Sequence, residues 1–202
     1  MYCSTSFYLI VLWLLHLQFV NHDNKLHDHE IWIVNASSSL RVDGKTNINS
    51  FSCLVSSYGK ADTLLCEINK TNLPYFRIHS ILEIPVVNFD CQHKTMTKDL
   101  QKTLKMNQFP LMTIDIKSLN KLPKETIGGT SSGDVHISLA GTKVNYQILF
   151  AGKNYLNQIE FVGNKTIYFS EFGLKPPSKL GGTIKVKDQL EVEVRLHLRK
   201  AN

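Results

Sequence analysis

The sequence predicts an all-β protein: a closed antiparallel barrel with one α-helix covering an end. Three observations carry this. Segment after segment alternates apolar and polar residues with period two; turn-forming dipeptides stand between these segments; and one stretch, about 96–106, repeats its apolar residues every fourth position instead. Alternate residues of a strand point to opposite faces, so each alternating segment has one apolar and one wet face. Eight or more such strands joined by short turns make an antiparallel sheet with a single buried face. A closed barrel satisfies that face best and removes the sheet edges, with a two-sheet sandwich as the alternative.

The elements follow in chain order. Residues 1–20 contain no Asp, Glu, Lys or Arg, and Phe7–Val20 is apolar apart from His16 and Gln18. That run is shorter than the ~20 residues of a membrane-spanning helix and suits the apolar core of a secretory signal. Export to a periplasm or beyond is therefore expected, with an uncleaved N-terminal anchor as the alternative. Residues 21–32 form a His/Asp-rich segment that includes His22, Asp23, His27, Asp28, His29 and Glu30. It reads as a solvated linker rather than a metal site, because a metal site needs rigid geometry and supporting partners. The domain proper is expected over 33–200.

Leu40 and Val42 begin the alternation. Phe51, Cys53 and Val55 share a face, as do Leu64, Cys66 and Ile68. Phe76, Ile78, Leu82 and Ile84 alternate with Arg77, His79 and Glu83, and Met112, Ile114 and Ile116 with Thr113, Asp115 and Lys117. Val135, Ile137 and Leu139 alternate with His136 and Ser138, and Val144, Tyr146, Ile148 and Phe150 with Asn145 and Gln147. Ile167 and Phe169 continue the pattern, and Leu190, Val192, Val194, Leu196 and Leu198 close it against Glu191, Glu193, Arg195 and His197. Turns are expected at Asp43-Gly44, Tyr58-Gly59, Gly128-Gly129, Gly133-Asp134, Gly141-Thr142, Gly163-Asn164 and Gly181-Gly182. In the helical stretch Met96, Leu100 and Leu104 form the apolar seam; Thr95 or Thr97 caps its start, Asp99 suits its first turn, and Lys102 and Lys105 its last. Pro110 prevents its continuation, and its expected place is over one barrel end.

Chemical motifs are sparse. Gly129-Thr130-Ser131-Ser132-Gly133 fits the Gly-x-Ser-x-Gly pattern, but that motif works on a strand-to-helix turn, and here it lies between two strand-like runs as a hairpin loop. His79, His136 and His197 fall on wet faces by parity, and Asp and Glu sit at turns or wet positions. No phosphate loop, dinucleotide fingerprint or metal motif is present, so no catalysis, cofactor or metal is expected. Lys and Arg number 23 against 17 Asp and Glu, a scattered net charge of +6 that argues against a nucleic-acid partner. The lysines between Lys94 and Lys124 read as a solvated face. Of the cysteines past the signal-like segment, Cys53 and Cys66 oppose each other if 51–57 and 62–68 form a hairpin, which favours their disulfide. Pairing either one with Cys91 is equally legal.

In order and spacing, several short pieces resemble the YceI-like family of bacterial periplasmic lipid-binding proteins, over about Ile33 to Leu198. They are Ser39-Leu40-Arg41-Val42-Asp43-Gly44-Lys45-Thr46-Asn47-Ile48-Asn49-Ser50-Phe51, Ile84-Pro85-Val86, Met96-Thr97-Lys98-Asp99-Leu100, Phe109-Pro110, Leu139-Ala140-Gly141-Thr142-Lys143 and Glu171-Phe172-Gly173-Leu174-Lys175-Pro176-Pro177. The resemblance implies an eight-stranded, lipocalin-like antiparallel barrel with a covering helix, holding a polyisoprenoid or similar amphiphile inside. An eight-stranded barrel either fills itself with side chains or holds one small ligand. Strand parity then nominates the pocket wall: Phe51, Phe76, Ile78, Met112, Ile114, Val135, Ile137, Tyr146, Ile148, Phe150 and Phe169. Among these the hydroxyl of Tyr146 is expected to meet a head group or a trapped water. The expected function is an extracytoplasmic binding protein for a long-chain isoprenoid or other amphiphilic lipid. The alternatives are a stress-related or interaction protein with a filled barrel, and an enzyme acting on a barrel-bound lipid.

Overall fold

Among the described residues, period-two alternation becomes twelve strands: β1 (Asp28–Val34), β2 (Ser39–Thr46), β3 (Ser50–Val55), β4 (Asp62–Ile68), β5 (Phe76–His79), β6 (Ile81–Pro85), β7 (Leu111–Leu119), β8 (Thr130–Leu139), β9 (Thr142–Tyr155), β10 (Gln158–Tyr168), β11 (Ser178–Lys179) and β12 (Ile184–Lys200). The helix α1 covers Lys94–Thr103. The computed structural model describes residues 28–68 and 75–201. The signal-like segment 1–20, together with His22, Asp23 and His27, lies outside them.

Eight strands close a ring in the order β1-β4-β5-β7-β8-β9-β10-β12, with β12 pairing back to β1, and every ladder is antiparallel. The expected eight-stranded barrel is therefore present, with four further strands attached. β12 is the spine. One edge of it pairs with β10, while the other carries β2 over Val186–Arg195 and then β1 over Leu198–Lys200. β7 does the same with β6 and then β5. At the β1 end the ring is thus complete. At the opposite end β2, β3 and β6 take over, and β3 pairs with β2 while β6 pairs with β7. There the single bridge Leu54↔Asp90 and a Cys53–Cys91 disulfide tie β3 to the segment leading into α1.

The parity reading holds where burial is greatest. Leu190, Val192, Val194, Leu196 and Leu198 face the core while Glu191, Glu193, Arg195 and His197 face outward or are half-buried. Phe150 and Phe161 stack in the core, ring centroids 4.6 Å apart.

Several expectations are corrected. β1 begins at Asp28, so the His/Asp-rich segment ends at 27 rather than 32: Asp28, His29 and Glu30 are paired to β4, and Glu30 is buried. α1 spans 94–103, not 96–106. His93 occupies its N-cap without a side-chain cap bond, and Thr97 is used elsewhere, accepting the Cys91 N–H at 3.0 Å. The run 76–84 breaks at buried Ser80 into β5 and β6, which pair with β7 in registers offset by one residue. Phe169 lies in a 3₁₀ turn, Phe169–Phe172, just past β10.

The most instructive correction concerns glycine. Gly44, Gly133 and Gly163 do not turn the chain; they sit inside β2, β8 and β10. A Cβ on Gly163 would lie 2.5 Å from the Phe150 ring, one on Gly44 would strike the Phe51 ring, and one on Gly133 would lie 2.8 Å from Leu119. These glycines make room for large side chains lying over the backbone, a recognised use of glycine in strands. A true tight turn is Ala140-Gly141, both residues at positive φ (51° and 84°), between β8 and β9. That pair of conformations is the hairpin turn that matches strand twist.

Candidate functional site

The open end of the barrel holds an apolar cavity of about 240 Å³. Its walls come from three places. The β2–β3 hairpin supplies Thr46, Asn49, Phe51 and Cys53; α1 and its lead-in supply His93, Thr95, Met96, Asp99 and Leu100; and the chain from β10 into β12 supplies Phe169, Pro177, Ile184 and Val186. Each contribution follows from local sequence. The Met96–Leu100 seam turns the apolar side of α1 downward, and Leu100 is the buried residue of the helix. The β2–β3 turn is organised by Thr46, whose Oγ1 donates to Asn49 (Oδ1, 2.6 Å) and accepts the N–H groups of Ile48 and Asn49. The disulfide forms part of the wall through Cys53 and fixes the approach to α1 through Cys91. Asn49, His93 and Thr95 are exposed and form a polar rim.

Of the eleven wall residues chosen by parity, Phe51 and Phe169 line this cavity. Ile78, Met112, Ile114, Val135, Ile137, Ile148 and Phe150 are buried in the barrel core, and Phe76 packs half-buried against it. There a gap among Leu40, Val55, Leu82, Ile114 and Val194 measures about 20 Å³. Tyr146 is buried too, but its hydroxyl donates to Glu171 at 2.6 Å rather than standing free for a head group or water. Burial, and then the hydrogen bond and charge of Glu171, push that hydroxyl well above its ordinary value of 10.0. Glu171 also accepts the Tyr168 N–H at 2.8 Å, so Tyr146 ties β9 to the 3₁₀ turn.

Sequence reasoning did not nominate Met96, Leu100, Ile184 and Val186 for the site. The signals were present: the helical seam is apolar, and Ile184 and Val186 keep the parity of Leu190 at six and four positions before it, with Asp188 interrupting. Which helix face meets which strand is a tertiary fact that parity does not contain.

The disulfide expectation is also corrected. β3 pairs with β2, and β4 with β1 and β5, so the hairpin that would oppose Cys53 to Cys66 is not formed. Cys53 bonds Cys91, and Cys66 is a free buried thiol opposite Glu30. Burial, with the Glu30 charge beside it, pushes the Cys66 thiol up to about 12. Three carboxylates expected on wet positions are buried: Glu30, Glu160 and Asp115, the last paired with Lys117 at 2.8 Å. Glu30, its side chain 3% exposed, pairs with Lys200 and with Lys124 at 3.3 Å. Glu160 pairs with Lys153 at 2.7 Å and Arg195 at 2.8 Å. Ser131 of the Gly-x-Ser-x-Gly match enters β8 fully buried, its Oγ 3.0 Å from Asn120 Oδ1 and from the Lys121 carbonyl, and no histidine is bonded to it. Among the described residues no group of His, Cys, Asp and Glu is arranged to hold a metal ion.

No family model matches the sequence, and no curated protein matches it significantly. Solved structures share the fold. BcnA of Burkholderia cenocepacia superposes with a TM-score of 0.60 at 15% identity, over 81% of this chain and 98% of that one. A polyisoprenoid-binding domain from Saccharophagus degradans, implicated in plant cell wall breakdown, gives 0.55 at 9% identity, over 84% and 98%. The YceI protein of Campylobacter jejuni gives 0.50 at 14% identity, over 69% and 80%.

Proposed function

We propose that this chain, whose fold is the YceI-type barrel, is an extracytoplasmic binding protein that holds a long-chain isoprenoid or other amphiphilic lipid by its tail. The observation that carries the reading is the apolar cavity beneath α1, with its polar rim of Asn49, His93 and Thr95. The described ligand class of the Saccharophagus neighbour is consistent with it. A dry apolar cavity of about 150 Å³ takes a benzene-sized guest. On that scale 240 Å³ seats the end of a branched chain. Each further buried CH₂ adds about 0.8 kcal/mol before ordering costs. The rest of a long tail gains room by outward movement of α1, which buries Leu100 within the helix and Leu104 at its C-terminal end and is tied to the barrel by the Cys91 anchor. Phe51 and Phe169 make the first contacts with the tail. The Cys53–Cys91 disulfide and the signal-like N-terminus support an oxidising, exported location. The role is binding rather than catalysis.

A second reading has its own support. The Phe150–Phe161 stack and a gap of only about 20 Å³ among core residues suit a side-chain-filled barrel with an interaction or stress role and no lipid. Met96→Trp separates the two. Met96 is half-buried on the cavity wall, so a larger ring there fills space without overpacking the core. Fluorescent long-chain isoprenoid uptake should fall at least tenfold while the melting temperature stays within a few degrees. Uptake unchanged in the variant, or absent in the wild type, would remove the lipid from this cavity.

A further inference from the structure

The lysines of the helical segment have no part in the fold. Lys94, Lys98 and Lys102 recur every fourth residue of α1, and Lys105 follows just past its end. At about 100° per residue they form one stripe on the side opposite the Met96–Leu100 seam. All four are exposed, and among the described residues none is ion-paired. The stripe runs along the outside of the element that roofs the cavity. Two large apolar side chains stand exposed at the same end of the barrel. Ile48, 67% exposed, tips the β2–β3 turn that forms one cavity wall; Val87, 60% exposed, lies where its carbonyl accepts from Gln101 of α1 at 3.2 Å. Unpaired cations in a row, with unsupported aliphatic side chains at the same end, complement an anionic interface with an apolar interior.

We infer that this end of the barrel docks onto an anionic phospholipid bilayer. The α1 stripe meets the headgroups, Ile48 and Val87 enter the interface, and the cavity mouth is held against the membrane in which an isoprenoid tail resides. The inference rests on the lipid-binding reading for its purpose, and its test stands apart from it.

The test is co-sedimentation of the full chain with phosphatidylglycerol/phosphatidylcholine vesicles. Vesicles of phosphatidylcholine alone subtract whatever the apolar segment 1–20 contributes. Each lysine near such a surface is worth about fivefold in the partition constant, so Lys98→Gln/Lys102→Gln should lose roughly 25-fold. Molar salt should remove the anionic preference. Arg77→Gln/Lys121→Gln, the same charge loss at the other barrel end, should lose little. In parallel, uptake of a short fluorescent isoprenoid from solution should be unchanged in the lysine variant. Equal losses in the two double variants, or no preference for anionic vesicles in the wild type, would overturn the docking face even if isoprenoid uptake is intact. Vesicle binding with no isoprenoid uptake would keep the docking face and sink the ligand. Stronger retention on polyglutamate than on vesicles would reassign the stripe to an acidic protein segment.

Discussion

Cys53 and Cys91 are 38 positions apart, and closing a loop of that length contributes about 4 kcal/mol on the chain-entropy model. Cys53→Ser/Cys91→Ser should therefore lower the denaturation midpoint strongly and loosen α1, which a fall in isoprenoid affinity would report; an unchanged midpoint would show that the bond is not formed. The third thiol behaves differently. With its native value raised to about 12 against an ordinary 9.0, Cys66 stays protonated in the folded barrel while it ionises in the unfolded chain. Its contribution to stability is complete below about pH 9 and is lost as pH rises toward 12. Apart from Cys3, a thiol reagent at pH 8 should find no reactive cysteine until denaturant is added, and then Cys66. Glu160 acts on the acid side. Burial pushes its carboxyl up, but the Lys153 hydrogen bond and the charges of Arg195 and Lys153 outweigh that and hold it below the ordinary 4.5. Its contribution is present above that value and lost as pH falls below it. Gly163→Ala tests the ring-over-glycine packing: with a Cβ 2.5 Å from Phe150, a loss of about 1–3 kcal/mol in chemical denaturation is expected.

At the scale of the element, β12 decides the register. Val194, 7% exposed, pairs with Leu40 on one side and Gly163 on the other, while Glu193 faces outward to Arg195. Val194→Lys buries a charge without a partner and should cost several kcal/mol, whereas Glu193→Lys loses a partly exposed ion pair and should cost about 1 kcal/mol or less. Equal melting-temperature losses would contradict the inward assignment. Register of this kind was legible because burial of one face imposes period two directly on the residue order. Two things were not legible. One is a glycine whose missing Cβ admits a ring from the neighbouring strand, since Gly-Asn at 163–164 reads locally as a turn and Phe150 is its partner only once β9 and β10 pair. The other is strand order: Cys53 and Cys66 look like a hairpin pair until β1, which the His and Asp residues around it disguise as a linker, takes β4 for itself. The helix position was visible from its seam, but its start was misjudged because His93 caps it without a side-chain bond.

For the molecule as a whole, the barrel is built with unequal ends. The β1 end is a complete ring closed by buried Glu30 with Lys124 and Lys200. The other end is stapled rather than laddered, roofed by a helix that buries one residue, and it contains the cavity. A packed core between them is why residues chosen by inward parity alone pointed mostly to core, and it is why the proposed lipid is placed at the mouth. Native mass spectrometry of the protein purified without detergent tests this most directly. A lipid-holding barrel predicts a second charge-state series heavier by one long-chain lipid, lost on organic extraction and absent from Met96→Trp. A single series at the bare polypeptide mass, unchanged after incubation with isoprenoid, would contradict it.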